Sequence, residues 1–176
     1  MEYCQKYQKA AIIYIFDQCS WAANIVLDQK NPEFRNSFIN SLIFGDGAAG
    51  VVLIPSAMRQ KFSSPLLEIK DIVQAFEPAD TMHFVETGIK LDDQVHKIIP
   101  ELACSKVINP LLKANGLKAN DITEWSFHQG GLPILSAFAT DSVLGLSEEK
   151  LALSKELYLK YGTLSSASVF FVLSQH

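Results

Sequence analysis

One run limits most strongly what this chain can become: Ala10-Ala11-Ile12-Ile13-Tyr14-Ile15-Phe16. It is rich in β-branched and aromatic residues and shows no polar alternation, so it reads as a central strand buried on both faces. Such a strand needs a layer of structure on each side. The downstream pattern offers only about four helices, so the sequence predicts that one face is covered by another chain, in an obligate homo- or hetero-oligomer. The same run is far shorter than the roughly 20 apolar residues that cross a bilayer, so no membrane segment is expected. Met1-Glu2-Tyr3-Cys4 lacks the basic-then-apolar layout of a signal peptide.

Val51 to Ile54 and Leu66 to Phe76 read as further strands, with a short extended piece reaching Phe84 after the Pro78-Ala79-Asp80 turn. Residues 28–41, polar and interrupted by Pro32, and residues 55–64 read as surface loops. From Asp92 to Asn115, apolar residues recur at helical spacing, with Pro100 and Pro110 as first-turn residues or kinks and Gly116 as the stop. Pro133 suits the first turn of a helix reaching about Val143. Ser147-Glu148-Glu149 caps another helix, which Gly162 ends. Val169 to Leu173 fits either a strand or a buried helix. Strands interleaved with helices predict an α/β fold in one domain over residues 1–176. With 48% hydrophobic and 19% charged residues the chain can bury a core. A net charge of −4 without basic clusters argues against a nucleic-acid partner. Cys4, Cys19 and Cys104 have no metal-type spacing, which predicts structural thiols in a reducing, cytoplasmic setting.

Three segments carry chemistry. In Trp125-Ser126-Phe127-His128-Gln129-Gly130-Gly131 a short apolar strand delivers a histidine to a Gly-Gly turn. There His128 can donate from Nε2 to an oxygen that turns anionic on a thioester carbonyl, while Gly130 and Gly131 let a thin substrate pass close to the backbone. The alternative is a histidine packed at a strand end. In Tyr161-Gly162-Thr163-Leu164-Ser165-Ser166-Ala167-Ser168, Gly162 frees the backbone and Thr163 either donates into the same cleft or caps a helix. Gly45-Asp46-Gly47-Ala48-Ala49-Gly50 lacks the lysine and the strand-to-helix context of a phosphate loop. It reads as a structural tight turn in which Asp46 binds backbone N–H groups.

Taken jointly, Phe44 to Val52 resembles the Phe-Gly-Asp-Gly-Ala element of the thiolase-superfamily condensing enzymes, namely β-ketoacyl-ACP synthase III and the chalcone/stilbene synthase-like type III polyketide synthases. Trp125 to Gly131 resembles their histidine segment, Tyr161 to Val169 their Gly-Asn-x-Ser-(Ser/Ala)-Ala-Ser segment, and Val85-Glu86-Thr87-Gly88-Ile89 a stretch of the type III enzymes. The resemblance implies the C-terminal half of an αβαβα fold, with a mixed five-stranded sheet covered by helices. It implies carbon–carbon bond formation from acyl and malonyl thioesters of CoA or an acyl carrier protein, with no bound cofactor. It makes His128 and Thr163 the catalytic pair, Thr163 standing where the family has asparagine. The acylated cysteine would lie on a partner, either an N-terminal half or a synthase subunit, and the family's terminal hairpin would lie beyond His176. The resemblance also leaves room for a non-catalytic subunit that completes a synthase dimer.

Overall fold

The computed structural model describes residues 2–22, 26–64, 66–78, 80–85 and 88–176. The apolar run follows a short helix, α1 (Glu2–Tyr7), and forms strand β1 (Ala11–Asp17). Helix α2 (Phe34–Ile43) leads into β2 (Gly47–Leu53), which pairs antiparallel with β1, Ala11 opposite Leu53 and Asp17 opposite Gly47. Strands β3 (Met82–Val85) and β4 (Gly88–Leu91) form a second antiparallel pair. A parallel bridge joins Phe44 to Thr163. The described residues thus hold two ladders and a bridge where a mixed five-stranded sheet is expected. The stretch 66–76, expected as a strand, has no ladder partner among the described residues and is irregular, with Leu67 and Phe76 open to solvent.

Period-two alternation divides the β1–β2 ribbon into unlike faces. Ala11, Ile13, Ile15 and Asp17 share one face with Gly47, Ala49, Val51 and Leu53, and this face turns toward the 165–167 segment. The other carries Ile12, Tyr14, Phe16 and Val52, which are 76%, 71%, 59% and 60% exposed. The expectation of a strand buried on both faces is therefore corrected: none of the described residues covers the outer side. Burying four such side chains is worth about 6–12 kcal/mol, at roughly 1.5–3 kcal/mol each.

The helical run after β4 comprises α3 (Val95–Ala103), one π-type turn (Cys104–Ile108) and α4 (Asn109–Ala114). Pro100 lies buried inside α3, where it removes a backbone donor, and the wider turn follows four residues later. Pro110 takes the first turn of α4, as expected. Helix α5 (Leu132–Ala137) is shorter than predicted, giving way at Phe138 to turns closed by Thr140. Helix α6 (Glu148–Tyr161) ends at Gly162, whose φ of +72° suits glycine, and α7 (Ser168–Leu173) resolves the ambiguous apolar run as helix. The main core gathers Cys104, Phe127, Leu135, Phe138, Leu146 and Leu151. Among the described residues no helix is long and apolar enough to cross a membrane.

Candidate functional site

The site is assembled by close approach of two backbone segments. Thr163 donates its N–H to the Ile43 carbonyl at 2.6 Å and accepts from the Gly45 N–H at 2.9 Å. Glycine is required at this seam. A Cβ on Gly45 would stand 2.5 Å from the Tyr161 carbonyl oxygen, and one on Gly47 would stand 2.8 Å from Leu164 Cβ. The Gly-rich turn is therefore structural, and its purpose is to let β2 enter directly beneath residues 161–167. Asp46 holds a distant segment, not its own turn: its Oδ1 accepts from the Ser20 N–H at 2.7 Å, and that bond is the main reason its carboxyl sits below the usual range.

His128 is placed by the aromatic residues before it. Trp125 and Phe127 stack with ring centroids 5.3 Å apart and planes parallel to 1°, and Phe127 in turn stacks on Phe138 at 4.4 Å. These residues form no strand ladder, so the short apolar strand expected here is replaced by an aromatic stack that pins Phe127 in the core. Beyond it, Gly131 opens α5, and a side chain on Gly130 would press on Ile134 at 3.1 Å and lie 3.6 Å from His128 Nε2. The glycines thus keep the flank of the imidazole clear.

His128 retains solvent-exposed surface, yet desolvation by the surrounding protein lowers its pKa from 6.5, opposed in part by the Ser165 backbone nearby. At neutral pH the ring is then neutral, one nitrogen carrying an N–H and the other a lone pair. Ser165 opens the 3₁₀ turn Ser165–Ala167 with a φ of +52°, a left-handed conformation uncommon for serine. Thr163 lies two residues before it, buried, with its backbone committed to the bridge and not to a helix cap.

The structure brings two further residues here that sequence reasoning did not place. Burial, followed by the charge of Asp17, raises the thiol pKa of Cys19, Asp46 adds to the effect, and the nearby Ser165 side chain opposes it. It is a thiol near the site, not a poised nucleophile. Gln129 is wholly buried, and neither carboxamide atom finds a partner among the described residues. Cys104, in the core, is pushed up to about 11 by burial, and Cys4 bonds the Leu53 carbonyl at 3.7 Å, so both suit structural roles. Residues 86 and 87 of the Val85–Ile89 motif lie outside the described residues. Among the described residues no three His, Cys, Asp or Glu side chains gather as a metal site.

Residues 69–176 match the family described as chalcone and stilbene synthases, C-terminal domain. A Bacillus subtilis (strain 168) protein, provisionally named a chalcone synthase, is 27% identical over 188 residues, which take in 99% of this chain and 48% of that protein. The crystal structure of PKS-I from the brown alga Ectocarpus siliculosus superposes with a TM-score of 0.73 at 26% identity, covering 99% of this chain and 46% of that one. The chain spans about half the length of both relatives.

Proposed function

Because the chain belongs to the chalcone and stilbene synthases, with their C-terminal domain over residues 69–176 and a thiolase-like α/β fold, we propose that it supplies the histidine side of a carbon–carbon bond-forming site. The complementary side, with the acylated cysteine, comes from a Cys-bearing half or partner synthase subunit. That cysteine takes an acyl group from a CoA or carrier-protein thioester and releases the thiol. The cysteine's proton passes through the free nitrogen of His128 to the departing thiol, and the ring, neutral again, then donates an N–H hydrogen bond to the thioester oxygen of a malonyl extender. Carbon dioxide leaves, and the carbanion attacks the acyl-enzyme and displaces the cysteine as its thiolate. Thr163 stands in the asparagine's place with a shorter donor. Loss of one oxyanion donor is worth roughly 2.7–4 kcal/mol, so condensation by this pair is slower than with asparagine. The three free thiols suit a reducing compartment.

The observation that carries this reading is the imidazole itself: it follows directly on the core-anchored Phe127, beside glycines that leave its flank clear, and desolvation favours its neutral form. The test is His128→Ala in the complex with a Cys-bearing partner, measuring radiolabelled acyl transfer and product together. Acyl loading should persist while product formation is lost; undiminished product formation would remove His128 from the mechanism. A second reading is favoured by Thr163 and by the bare outer face of β1–β2: a non-catalytic subunit that completes a synthase dimer. Activity that needs this chain but survives His128→Ala would select it.

A further inference from the structure

We propose that Lys150 is a positioning residue for His128: its ammonium group, through two backbone carbonyls, anchors the far end of the segment that delivers the imidazole. Residues 123–128 pair with no strand among the described residues, so no ladder fixes their course. Their placement depends on how the two ends are held. The end at Phe127 is held by the aromatic stack. The other end leaves the 3₁₀ turn Ala119–Asp121, where Lys150 Nζ donates to the Asn120 carbonyl at 3.2 Å and also to the Ile122 carbonyl. One cation, 28 positions beyond Ile122, thus gathers the two carbonyls that flank Asp121.

The electrostatics give the contact its direction. A lysine is misplaced in the first turn of a helix, where free backbone N–H groups carry partial positive charge. Lys150 is the third residue of α6, behind Glu148 and Glu149. Its Nζ instead meets carbonyl oxygens, which carry the opposite partial charge. Hydrogen bonds from an ionised donor are about twice as strong as neutral ones, and here one ammonium makes two. Glu124 and Glu149 line the same open depression as Lys150, which balances the charge without burying it. The neighbouring tie between Glu124 and His176 Nδ1, at 3.1 Å, carries less, because Glu124 is 61% exposed. The turn itself transmits the hold: Asp121 Oδ2 accepts from the Lys118 N–H at 2.8 Å, and the Ile122 N–H donates to the Ala119 carbonyl at 3.3 Å. The path thus runs from α6, through Ile122 and five residues, to the imidazole, and it sets where His128 emerges beside Gly130 and Gly131.

The anchor stands on these contacts alone, while its value for catalysis rests on the role proposed above for His128. The test separates the two. Hydrogen–deuterium exchange of the full chain, read by mass spectrometry, compares residues 119–129 with α3 as the internal reference. Lys150→Met keeps the stem and removes the cation. It should raise exchange over 119–129 about tenfold while α3 exchanges as in the parent. Lys150→Arg keeps the charge and the donors, and should stay within about threefold of the parent. Should Lys150→Met not fold, Lys150→Gln, which retains an uncharged donor, decides the matter with a rise of about threefold. Unchanged exchange in the folded variant would overturn the proposal. So would a rise shared equally by α3, or Lys150→Arg proving as loose as Lys150→Met. In the complex with a Cys-bearing partner, Lys150→Met should lower kcat roughly 10–100-fold at constant KM, the range for a displaced working group, and Lys150→Arg should restore it. His128→Ala is run alongside. If His128→Ala abolishes product but a loosened Lys150→Met keeps its kcat, the positioning role is refuted. If neither variant alters product, the catalytic reading of His128 fails and the anchor remains.

Discussion

Replacing Gly45 by alanine should unlatch the Gly-rich turn from residues 161–167. The new Cβ would lie 2.5 Å from the Tyr161 carbonyl oxygen and 3.1 Å from Leu164 Cδ2. The first neighbour is backbone and cannot swing aside, so the entrance to β2 must retreat. That movement stretches the 2.9 Å bond from the Gly45 N–H to the Thr163 carbonyl. Overpacking of this kind costs about 1–3 kcal/mol and the weakened bond about 0.5–1.5 kcal/mol. Gly162→Ala should be at least as damaging, since its Cβ would meet the Ile43 oxygen at 2.6 Å and its φ of +72° adds roughly 1–2 kcal/mol for a residue with a side chain. Gly50→Ala is the internal control. A Cβ there meets nothing within 4 Å, and the loss of freedom in the unfolded chain should stabilise by about 0.4–1 kcal/mol. Urea unfolding of the full chain, followed by tryptophan fluorescence and circular dichroism, measures all three. If Gly45→Ala matches the parent midpoint, or Gly50→Ala proves equally harmful, the close-approach reasoning fails.

Two further predictions concern the imidazole and the bare sheet face. The folded-state pKa of His128 lies below its unfolded value of 6.5, so the unfolded chain takes up the proton first as pH falls. The full contribution is present above about pH 6.5 and is lost as pH drops through the lower folded value. Relative to His128→Gln, the parent should lose stability between pH 7 and 5, and parallel curves would contradict the desolvation argument. Tyr14→Lys with Val52→Lys should leave the β1–β2 pairing intact while abolishing association through the outer face. Sedimentation velocity should then show monomer; an unaltered assembly would place the interface elsewhere.

Elements whose stability comes from apolar spacing or glycine punctuation were legible in the sequence. Helix α6 and its stop at Gly162 follow the pattern closely, as does the run from 95 to 114. Helix α2 was hidden for a physical reason: its buried residues are Ser37 and Asn40, and Asn40 is used to bond the Ile89 carbonyl at 2.8 Å. No hydrophobic period marks such a helix. Burial of β1 was overstated because an apolar strand reports that both faces are to be covered and not which molecule covers them. His128 was visible as a histidine before two glycines. Asp17 and Cys19 were not visible as neighbours of residues 165 and 166, because contacts over more than a hundred positions leave no local pattern.

The two-faced ribbon has a consequence for how the chain must be made. A polypeptide that leaves the ribosome with Ile12, Tyr14, Phe16 and Val52 unshielded is safe only while its cover is at hand. On the proposed reading, the complementary half has to dock soon after the ribbon forms, whether it belongs to the same polypeptide or to a partner. Ribbons that stay bare would be left to chaperones and proteases.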